Sequence, residues 1–250
     1  MRKIVKRLMP SFIWALGRGF YARLNAERWG IEQFLQASAA QIRDGAILLD
    51  AGAGSGGYKK HFEQCAYQST DITSGFSLES HRLSYLSELH YIPVRDCSYD
   101  VIVNTQVLEH VEYPQQVLNE FNRILKPDGS LYLTTPQSWG IHMAPYHFYN
   151  FTRYGLESLF RNANFEIVSI TPIGGIFWNL AKIVSKMPRY IIDEFRKNRS
   201  LMARAVIYPF YLVFKPLCEY VIPFVFFYLD RVDTHRGWTI GYVCECRKRG

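Results

Sequence analysis

The sequence predicts an α/β fold built on a parallel, doubly wound sheet. Short apolar segments alternate with amphipathic ones from residue 46 to about residue 170, and a glycine-rich loop follows the first apolar segment. Of the 250 residues, 48% are hydrophobic. A parallel sheet requires alternating strands and helices, and a chain of this length and apolar content can bury a full core. A disordered chain and a small disulfide scaffold are therefore excluded.

The individual elements are predicted from hydrophobic periodicity and from the residues that end each segment. A helix is expected over 31–42, where apolar residues recur at helical spacing and Asp44-Gly45 follows. A second helix is expected over 111–125, and the turn at 126–129 ends it because it contains proline and glycine. The predicted strands are 47–49, 66–70, 101–104, 131–134, 165–170 and 239–246.

Two segments outside the alternating pattern hold much of the aromatic and basic content. Residues 1–30 carry seven basic side chains and one acid, interleaved with aromatic residues as in a basic amphipathic arm. Roughly 65 residues separate the last two predicted strands, whereas an ordinary connection has about 2 to 6. We therefore expect an insertion before the last strand.

Charge and cysteine usage narrow the class of protein only slightly. The formal net charge of +7 is compatible with nucleic acid, an anionic membrane surface or an anionic substrate, and does not choose among them. The five cysteines form no C-x-x-C pair, so neither a zinc site nor a disulfide framework is suggested, and a reducing, cytoplasmic location is expected. The basic N-terminus has no small-residue cleavage site after its short apolar run, so we expect it to be retained.

The glycine-rich loop is the motif that carries chemistry. The first strand runs into the octapeptide 50–57, D-A-G-A-G-S-G-G. Glycine lets a backbone turn sharply and approach a ligand closely. Gly52, Gly54 and Gly57 fit a dinucleotide fingerprint, and Asp71 lies about the right distance further on to bind a ribose. The loop alone therefore fits either NAD or an S-adenosyl cofactor.

Three motifs in order resemble those of the class I S-adenosylmethionine-dependent methyltransferases. They are D-x-G-x-G-x-G at 50–56, Y-D-V-I-V-N-T-Q-V-L-E-H-V at 99–111 and L-K-P-D-G-S-L at 125–131. The segment is similar to the broad group that includes ubiquinone and menaquinone methyltransferases and enzymes of biosynthetic clusters. The resemblance implies a Rossmann-like seven-stranded methyltransferase sheet, with helices on both faces and a helical insertion before the last strand. It also implies S-adenosyl-L-methionine as the cofactor.

The same resemblance implies a set of cofactor-binding residues. Gly52, Gly54 and Gly56 would form the loop against the methionine moiety. Asp50 would orient that loop, and Asp71 would accept both ribose hydroxyls. The remaining members are Ile72 on the adenine, Glu88 at the position of the family's usual Asp, Leu89 beside it, and Asn104 and Gln106 lining the methyl donor.

Three histidines are candidate catalytic residues. His142 and His147 lie in an aromatic loop over 137–154, and His110 follows Glu109 in the second motif. The loop resembles a H-x-x-P-x-D-[FY]-x-[RN]-[FY]-T segment of cluster-encoded members, with His147 at the usual acid position. An imidazole could accept the proton of a hydroxyl acceptor, while loop packing and a helix start are the alternative roles. We expect no metal site, because no carboxylate cluster at ligand spacing matches the histidines.

The apolar half of the insertion, 205–229, leaves several interpretations open. A single membrane-spanning helix is disfavoured, because Lys215 and Glu219 fall near its centre and three prolines interrupt it. Short kinked helices at an anionic membrane surface are favoured over a cover for the substrate pocket or a dimer partner. The basic residues that would face the headgroups are Arg189, Arg196, Lys197, Arg199 and Arg204.

The predicted function is methyl transfer to a small or lipid-linked acceptor, with an oxygen nucleophile favoured, by a cytoplasmic protein peripheral on the membrane. RNA methylation and cofactor binding without turnover are the alternatives. Nucleic acid is disfavoured because the basic residues form no recognised RNA-reading motif. The sequence leaves the oligomeric state open. The predicted divisions are a basic arm and helix (1–45), a cofactor-binding core (46–171), a helical apolar insertion (172–237) and a final strand with a basic tail (238–250).

Overall fold

The computed structural model describes residue 20 and residues 23–72, 83–197 and 201–250. Most of the predicted basic arm, and the side chains of Arg196, Lys197, Arg199 and Arg204, lie outside the described part of the chain. The strands are β1 (Ile47–Ala51), β2 (Ala66–Asp71), β3 (Tyr85–Leu86), β4 (Tyr99–Thr105), β5 (Leu125–Pro136), β6 (Phe165–Ile173) and β7 (Gly241–Lys248). The α-helices described are α1 (Ala26–Ala39), α2 (Pro114–Ile124), α3 (Arg153–Asn162), α4 (Ile176–Lys197), α5 (Leu201–Pro216) and α6 (Ile222–Leu229).

The strands form one seven-stranded mixed sheet in the order β3-β2-β1-β4-β5-β7-β6. Strands β1 to β5 pair in parallel, and β7 runs antiparallel between β5 and β6. The strand order reverses between β1 and β4, and the carboxyl ends of parallel strands open a ligand-binding crevice at such a switch point. The predicted Rossmann-like sheet is confirmed.

Several element boundaries differ from the predicted ones for local reasons. Helix α2 begins at Pro114 rather than at residue 111, because proline suits the first turn, where its missing N–H is not needed. Strand β5 begins at Leu125, so the predicted turn over 126–129 lies inside the strand, where Asp128 has a φ of 60°. Strand β3 has two residues, too few to give a periodic signal.

The chain divides into two compact units. The sheet unit comprises Ile31–Ile173 and Ile240–Gly250, and the helical unit comprises Met1–Gly30 and Gly174–Thr239. The predicted divisions fell after residues 45, 171 and 237, whereas the compact units divide after residues 30, 173 and 239. The core of the sheet unit lies on one face of the sheet, where Leu49, Ile102 and Leu133 cluster with Leu118 and Phe121 of α2 and Phe160 of α3, all fully buried.

The interior of the helical unit is organised around one buried carboxylate. Asp230 is 1% exposed and accepts hydrogen bonds from the backbone N–H groups of Gly175 and Trp178, at the start of α4, and from Nη1 of Arg236. The indole of Trp178 stacks on Phe227, with ring centroids 5.1 Å apart, and donates to the Phe227 carbonyl. A carboxylate at a helix N-terminus stabilises the free N–H groups there.

The apolar part of the helical unit is less broken than predicted. Helices α5 and α6 are joined by a π-helical segment, Leu217–Val221, so the helical run continues past Pro216 and Pro223. A π segment widens the turn and accommodates the missing proline N–H groups, which is why short separate helices do not form. Within the described ranges, Tyr208–Val232 is the one stretch long and apolar enough to cross a membrane, and 17% of its apolar window is buried.

Candidate functional site

The loop after β1 requires glycine for two different reasons. Gly52, Gly54 and Gly56 have φ angles of 81°, 53° and 69°, which other residues rarely adopt. A Cβ on Gly52 would lie 2.5 Å from Cγ2 of Val107, whereas a Cβ on Gly54 would meet no described atom within 4 Å. Gly52 therefore permits close packing against the segment that follows β4. Gly54 borders open space in which a ligand can lie.

Asp71 closes this loop from the neighbouring strand. Its Oδ2 accepts a hydrogen bond from the Gly54 N–H at 2.7 Å, and its Oδ1 accepts one from the Ile72 N–H at 2.7 Å. A carboxylate oxygen can accept two hydrogen bonds, so each oxygen retains capacity for a further donor. Binding both hydroxyls of a ribose would use this remaining capacity, one hydroxyl donating to each oxygen of Asp71. Ile72 itself is half exposed at the end of β2.

The side chain of Asp50 is buried near the carboxyl end of β1 rather than exposed on the loop. The hydroxyl of Tyr67 donates to its Oδ2 at 2.5 Å. Burial raises the pKa of Asp50 to about 6; the Tyr67 hydrogen bond opposes this rise, and the charge of Asp71 adds to it. Tyr67 could not be predicted as a partner of Asp50, because the contact depends on the pairing register of β1 and β2.

Asn104 and Gln106 bring polar groups to the carboxyl end of β4. Asn104 is fully buried, and its Nδ2 donates to the Ala51 carbonyl at 2.8 Å, while its Oδ1 has no hydrogen-bond partner among the described residues. Gln106 has a φ of 55°, and its N–H donates to the Thr134 carbonyl at 2.9 Å. Buried unpaired acceptors and strained backbone both concentrate at ligand sites. The Asn104 oxygen could accept a hydrogen bond from a cofactor's amino group, so this edge of the sheet fits S-adenosylmethionine.

Glu88 and Leu89, which were predicted to lie beside the adenine, have different environments in the structure. Glu88 lies on the surface with its Oε2 3.2 Å from Nδ1 of His90, and Leu89 is buried in the hydrophobic core. No described contact brings Glu88 to the glycine loop. Its position at the family's usual Asp therefore gains no geometric support here.

A partly buried ion pair that the sequence did not predict holds the segment that follows Leu89. Oε1 of Glu120 accepts a hydrogen bond from the Ile92 N–H at 2.7 Å, and Nη2 of Arg123 donates to the Ile92 carbonyl at 3.1 Å. Nη2 of Arg123 lies 2.7 Å from the Glu120 carboxylate. The three-residue spacing of Glu120 and Arg123 on α2 indicates that their side chains can pair. It does not indicate which loop the pair contacts.

The three candidate histidines converge. The ring centroids of His110 and His142 lie 4.7 Å apart, and those of His142 and His147 lie 4.3 Å apart. Nδ1 of His110 lies 2.7 Å from the Tyr146 carbonyl oxygen, which can only accept, so Nδ1 carries the proton. Burial lowers the pKa of His110, and the hydrogen bond to Tyr146 partly offsets this effect. Nε2 of His147 is buried and has no hydrogen-bond partner among the described residues.

Glu109 connects this cluster to the sheet. Its backbone carbonyl accepts a hydrogen bond from the Phe148 N–H at 2.9 Å, and its Oε2 accepts one from Oγ1 of Thr135 at 3.3 Å. Its side chain is 1% exposed. One potential ligand atom from each of Glu109, His110 and His142 lies within 4.8 Å of the others. No such group was predicted from the sequence, because Glu109 and His142 are far apart in the chain and only the folded loop brings them together.

The loop that carries His142 and His147 also presents apolar surface. Trp139 packs edge-on against His142, with ring centroids 5.7 Å apart. Exposed apolar groups that cluster on one loop are typical of ligand or partner contacts. Over 137–152, the exposed large apolar side chains are Ile141, Met143, Tyr146, Phe148 and Tyr149.

Comparisons with known proteins agree with this geometry. The sequence model of a methyltransferase-domain family matches residues 21–170. Arsenite methyltransferase of Aquipseudomonas alcaligenes is 28% identical over 148 residues, which make up 50% of this chain and 42% of that protein. The matched segments span 31% to 44% of the length of the curated relatives.

Two solved structures show the same fold. A candidate sarcosine dimethylglycine methyltransferase from Galdieria sulphuraria superposes with a TM-score of 0.54 and 19% identity, covering 90% of this chain and 86% of that chain. A phosphoethanolamine N-methyltransferase 2 from Haemonchus contortus, in complex with phosphomonomethylethanolamine and S-adenosylhomocysteine, superposes with a TM-score of 0.56 and 13% identity. That match covers 89% of this chain and 53% of the Haemonchus chain.

Proposed function

Since this chain belongs to the class I S-adenosylmethionine-dependent methyltransferases, we propose that it methylates an oxygen of a small or lipid-linked acceptor held against the histidine cluster. The observation that carries the proposal is the convergence of His110, His142 and His147, of which His110 lies on the segment that follows β4. The glycine loop and the histidine cluster are linked through Val107. A Cβ on Gly52 would lie 2.5 Å from Val107, and His110 follows Val107 by three residues.

The cofactor half of the site follows from the groups around the glycine loop. Asp71 would accept the ribose hydroxyls, and Oδ1 of Asn104 would accept a hydrogen bond from the amino group of the methionine moiety. When bound, S-adenosylmethionine supplies a sulfonium methyl group; transfer forms the O–C bond, breaks the C–S bond with its electron pair going to sulfur, and releases the acceptor's proton. The protein supplies proximity and alignment for this displacement.

The acceptor half is assigned to the aromatic loop. Nε2 of His147 is buried without a described partner, so an acceptor hydroxyl could donate a hydrogen bond to it and then pass its proton to it. The exposed apolar side chains of the same loop would hold an aromatic or isoprenoid body. An oxygen nucleophile is favoured because it needs a proton acceptor, which the cluster offers.

Two matched pairs of variants test the halves separately. In calorimetry with S-adenosylhomocysteine, Asp71→Asn should bind at least about tenfold more weakly than wild type, while Asp44→Asn, at an exposed site, should bind equally well. With labelled cofactor and separate lipid and soluble extracts, His147→Gln should lose methyl incorporation but keep its affinity for S-adenosylhomocysteine. The control His235→Gln should keep both. Undiminished affinity in Asp71→Asn would refute the cofactor assignment, and full incorporation by His147→Gln would refute the acceptor assignment.

We also propose that the helical unit contacts an anionic membrane surface and that the protein is cytoplasmic and peripheral. The support is the apolar stretch Tyr208–Val232, most of which is exposed within the structure. Arg189, the described member of the predicted basic group, has an 87% exposed side chain. Lipid headgroups of negative charge would complement it.

Two valines with the same exposure give a matched test of membrane contact. Val225, in the apolar stretch, and Val168, on β6, are each 46% exposed. Wild type should sediment with phosphatidylglycerol-containing vesicles. Val225→Glu should weaken binding at least about tenfold, since it loses about 1.5 kcal/mol of apolar burial and inserts a charge. Val168→Glu should bind normally. Absence of vesicle binding by wild type, or equal loss in both variants, would refute membrane contact.

A further inference from the structure

We propose that Glu109, His110 and His142 bind one divalent transition-metal ion of the zinc type. The proposal goes beyond methyl transfer and does not depend on it. Two imidazoles and one carboxylate form a ligand set that proteins use for zinc while leaving a fourth position open. Imidazole ligands also favour zinc, cobalt and similar ions over magnesium and calcium, which prefer oxygen.

The potential ligand atoms lie slightly farther apart than those around a bound zinc ion, so binding requires a small contraction of the group. The potential ligand atoms of the three residues lie within 4.8 Å of one another, and Oε1 of Glu109 lies 3.9 Å from Nε2 of His110. Ligand atoms of a tetrahedral zinc ion lie about 3.4 Å apart. Glu109 and His110 share one short helical turn, whereas His142 belongs to the loop over 137–152, so contraction to tetrahedral spacing would bring His142 towards the other two.

The surrounding hydrogen bonds already hold the side chains in ligating form. Nδ1 of His110 donates to the Tyr146 carbonyl at 2.7 Å, and Nδ1 of His142 lies 3.1 Å from the Gly140 carbonyl oxygen. A carbonyl oxygen only accepts, so the proton resides on Nδ1 and the lone pair on Nε2 of each ring. Metal-ligating histidines typically make such a bond, which fixes their tautomer and orientation.

The carboxylate is held in the same way. Oε2 of Glu109 accepts a hydrogen bond from Oγ1 of Thr135, which directs Oε1 towards His110. The Glu109 side chain is 1% exposed, and coordination of a metal ion is one way in which proteins stabilise a buried carboxylate.

The open position would face His147, the third imidazole of the histidine cluster. The ring of His147 lies 4.3 Å from that of His142 but outside the three-residue group. An oxygen ligand in the fourth position, from water or from an alcohol or phenol, would lie within reach of His147. The chemical class assigned to this position is therefore an oxygen donor with an exchangeable proton.

Metal binding can be measured without any methyl acceptor. Full-length protein without a histidine tag, stripped with chelator, is titrated with Zn²⁺ by calorimetry and with Co²⁺ by absorption. The exposed thiol of Cys97 is removed as a competing ligand by Cys97→Ser in all samples. We expect one ion per chain. His110→Ala, His142→Ala and Glu109→Gln should each weaken binding at least tenfold, because loss of even an outer partner costs 10- to 100-fold.

The controls separate ligand loss from unfolding. His235→Ala removes an exposed histidine outside the group and should bind as wild type does. Each variant should keep its circular dichroism spectrum and its affinity for S-adenosylhomocysteine. The proposal is overturned if wild type binds less than one ion per chain, if the three ligand variants bind as tightly as the control, or if equimolar Mg²⁺ displaces Zn²⁺.

Discussion

Replacing the loop glycines one at a time by alanine separates backbone strain from steric overlap. Gly52 has a positive φ, and its Cβ would lie 2.5 Å and 2.7 Å from the two methyl groups of Val107. Gly54 has a positive φ but no described atom within 4 Å of the added Cβ, and Gly57 has neither constraint. The three variants therefore form a graded series within one loop.

The expected losses of unfolding free energy follow from these two contributions. A left-handed backbone costs alanine about 1–2 kcal/mol, and overpacking costs about 1–3 kcal/mol. Gly52→Ala should thus lose about 2–5 kcal/mol and Gly54→Ala about 1–2 kcal/mol. Gly57→Ala should be neutral or gain up to about 1 kcal/mol, because alanine reduces the entropy of the unfolded chain.

Urea unfolding at constant pH measures these differences, and calorimetry with S-adenosylhomocysteine measures the affinity of each variant. Gly54→Ala should lose more affinity than its small change in stability suggests, because its methyl group enters the space assigned to the methionine moiety. If Gly52→Ala is no less stable than Gly54→Ala, the close approach of Val107 is refuted. If Gly54→Ala binds as wild type does, the ligand does not lie against this part of the loop.

Two buried carboxylates, Asp50 and Asp230, give further predictions. Burial holds the pKa of Asp50 at about 6, above its ordinary 3.8, so its ionisation destabilises the folded state by about 3 kcal/mol above pH 6 and by nothing below about pH 4. Asp50→Asn should remove this fall in urea stability between pH 4 and pH 7, and an unchanged pH profile would contradict the assignment. Asp230→Ala should lose about 3–5 kcal/mol, because it leaves the charge of Arg236 and two buried N–H groups without their partner. The control Asp193→Ala, at a half-exposed surface pair, should change urea stability by less than about 1 kcal/mol, and equal losses in both would contradict the role of Asp230.

The parts of the site that the sequence predicted are those encoded over short distances. A strand that ends in a glycine loop is a local pattern, and the next strand places Asp71 beside it through ordinary parallel pairing. The histidines could be named one by one, but their convergence depends on the Phe148 N–H bonding to the Glu109 carbonyl. No periodicity or motif reports a backbone bond of that kind, so the group with Glu109 was not foreseen.

The helical unit shows a second limit of sequence reasoning. Three prolines at seven-residue spacing predicted broken helices, since each removes one backbone donor. The structure absorbs two of them at the ends of the π segment Leu217–Val221, where a change in hydrogen-bond pattern makes the missing donor harmless. The low helix propensity of each proline was predicted correctly. A change to π-helical hydrogen bonding involves several residues at once, however, and single-residue propensities do not predict it.

The antiparallel pairing of β6 with β7 makes the large insertion a replaceable module. Ile173 is opposite Gly241 in the register, so the chain leaves the sheet and returns to it at neighbouring points. Closing a loop costs only about 0.6 kcal/mol more for each doubling of its length. Related chains could therefore exchange Gly174–Thr239 for a short hairpin, or for a different domain, without moving the strands that carry the glycine loop. The family match ends at residue 170, within β6 and just before this junction.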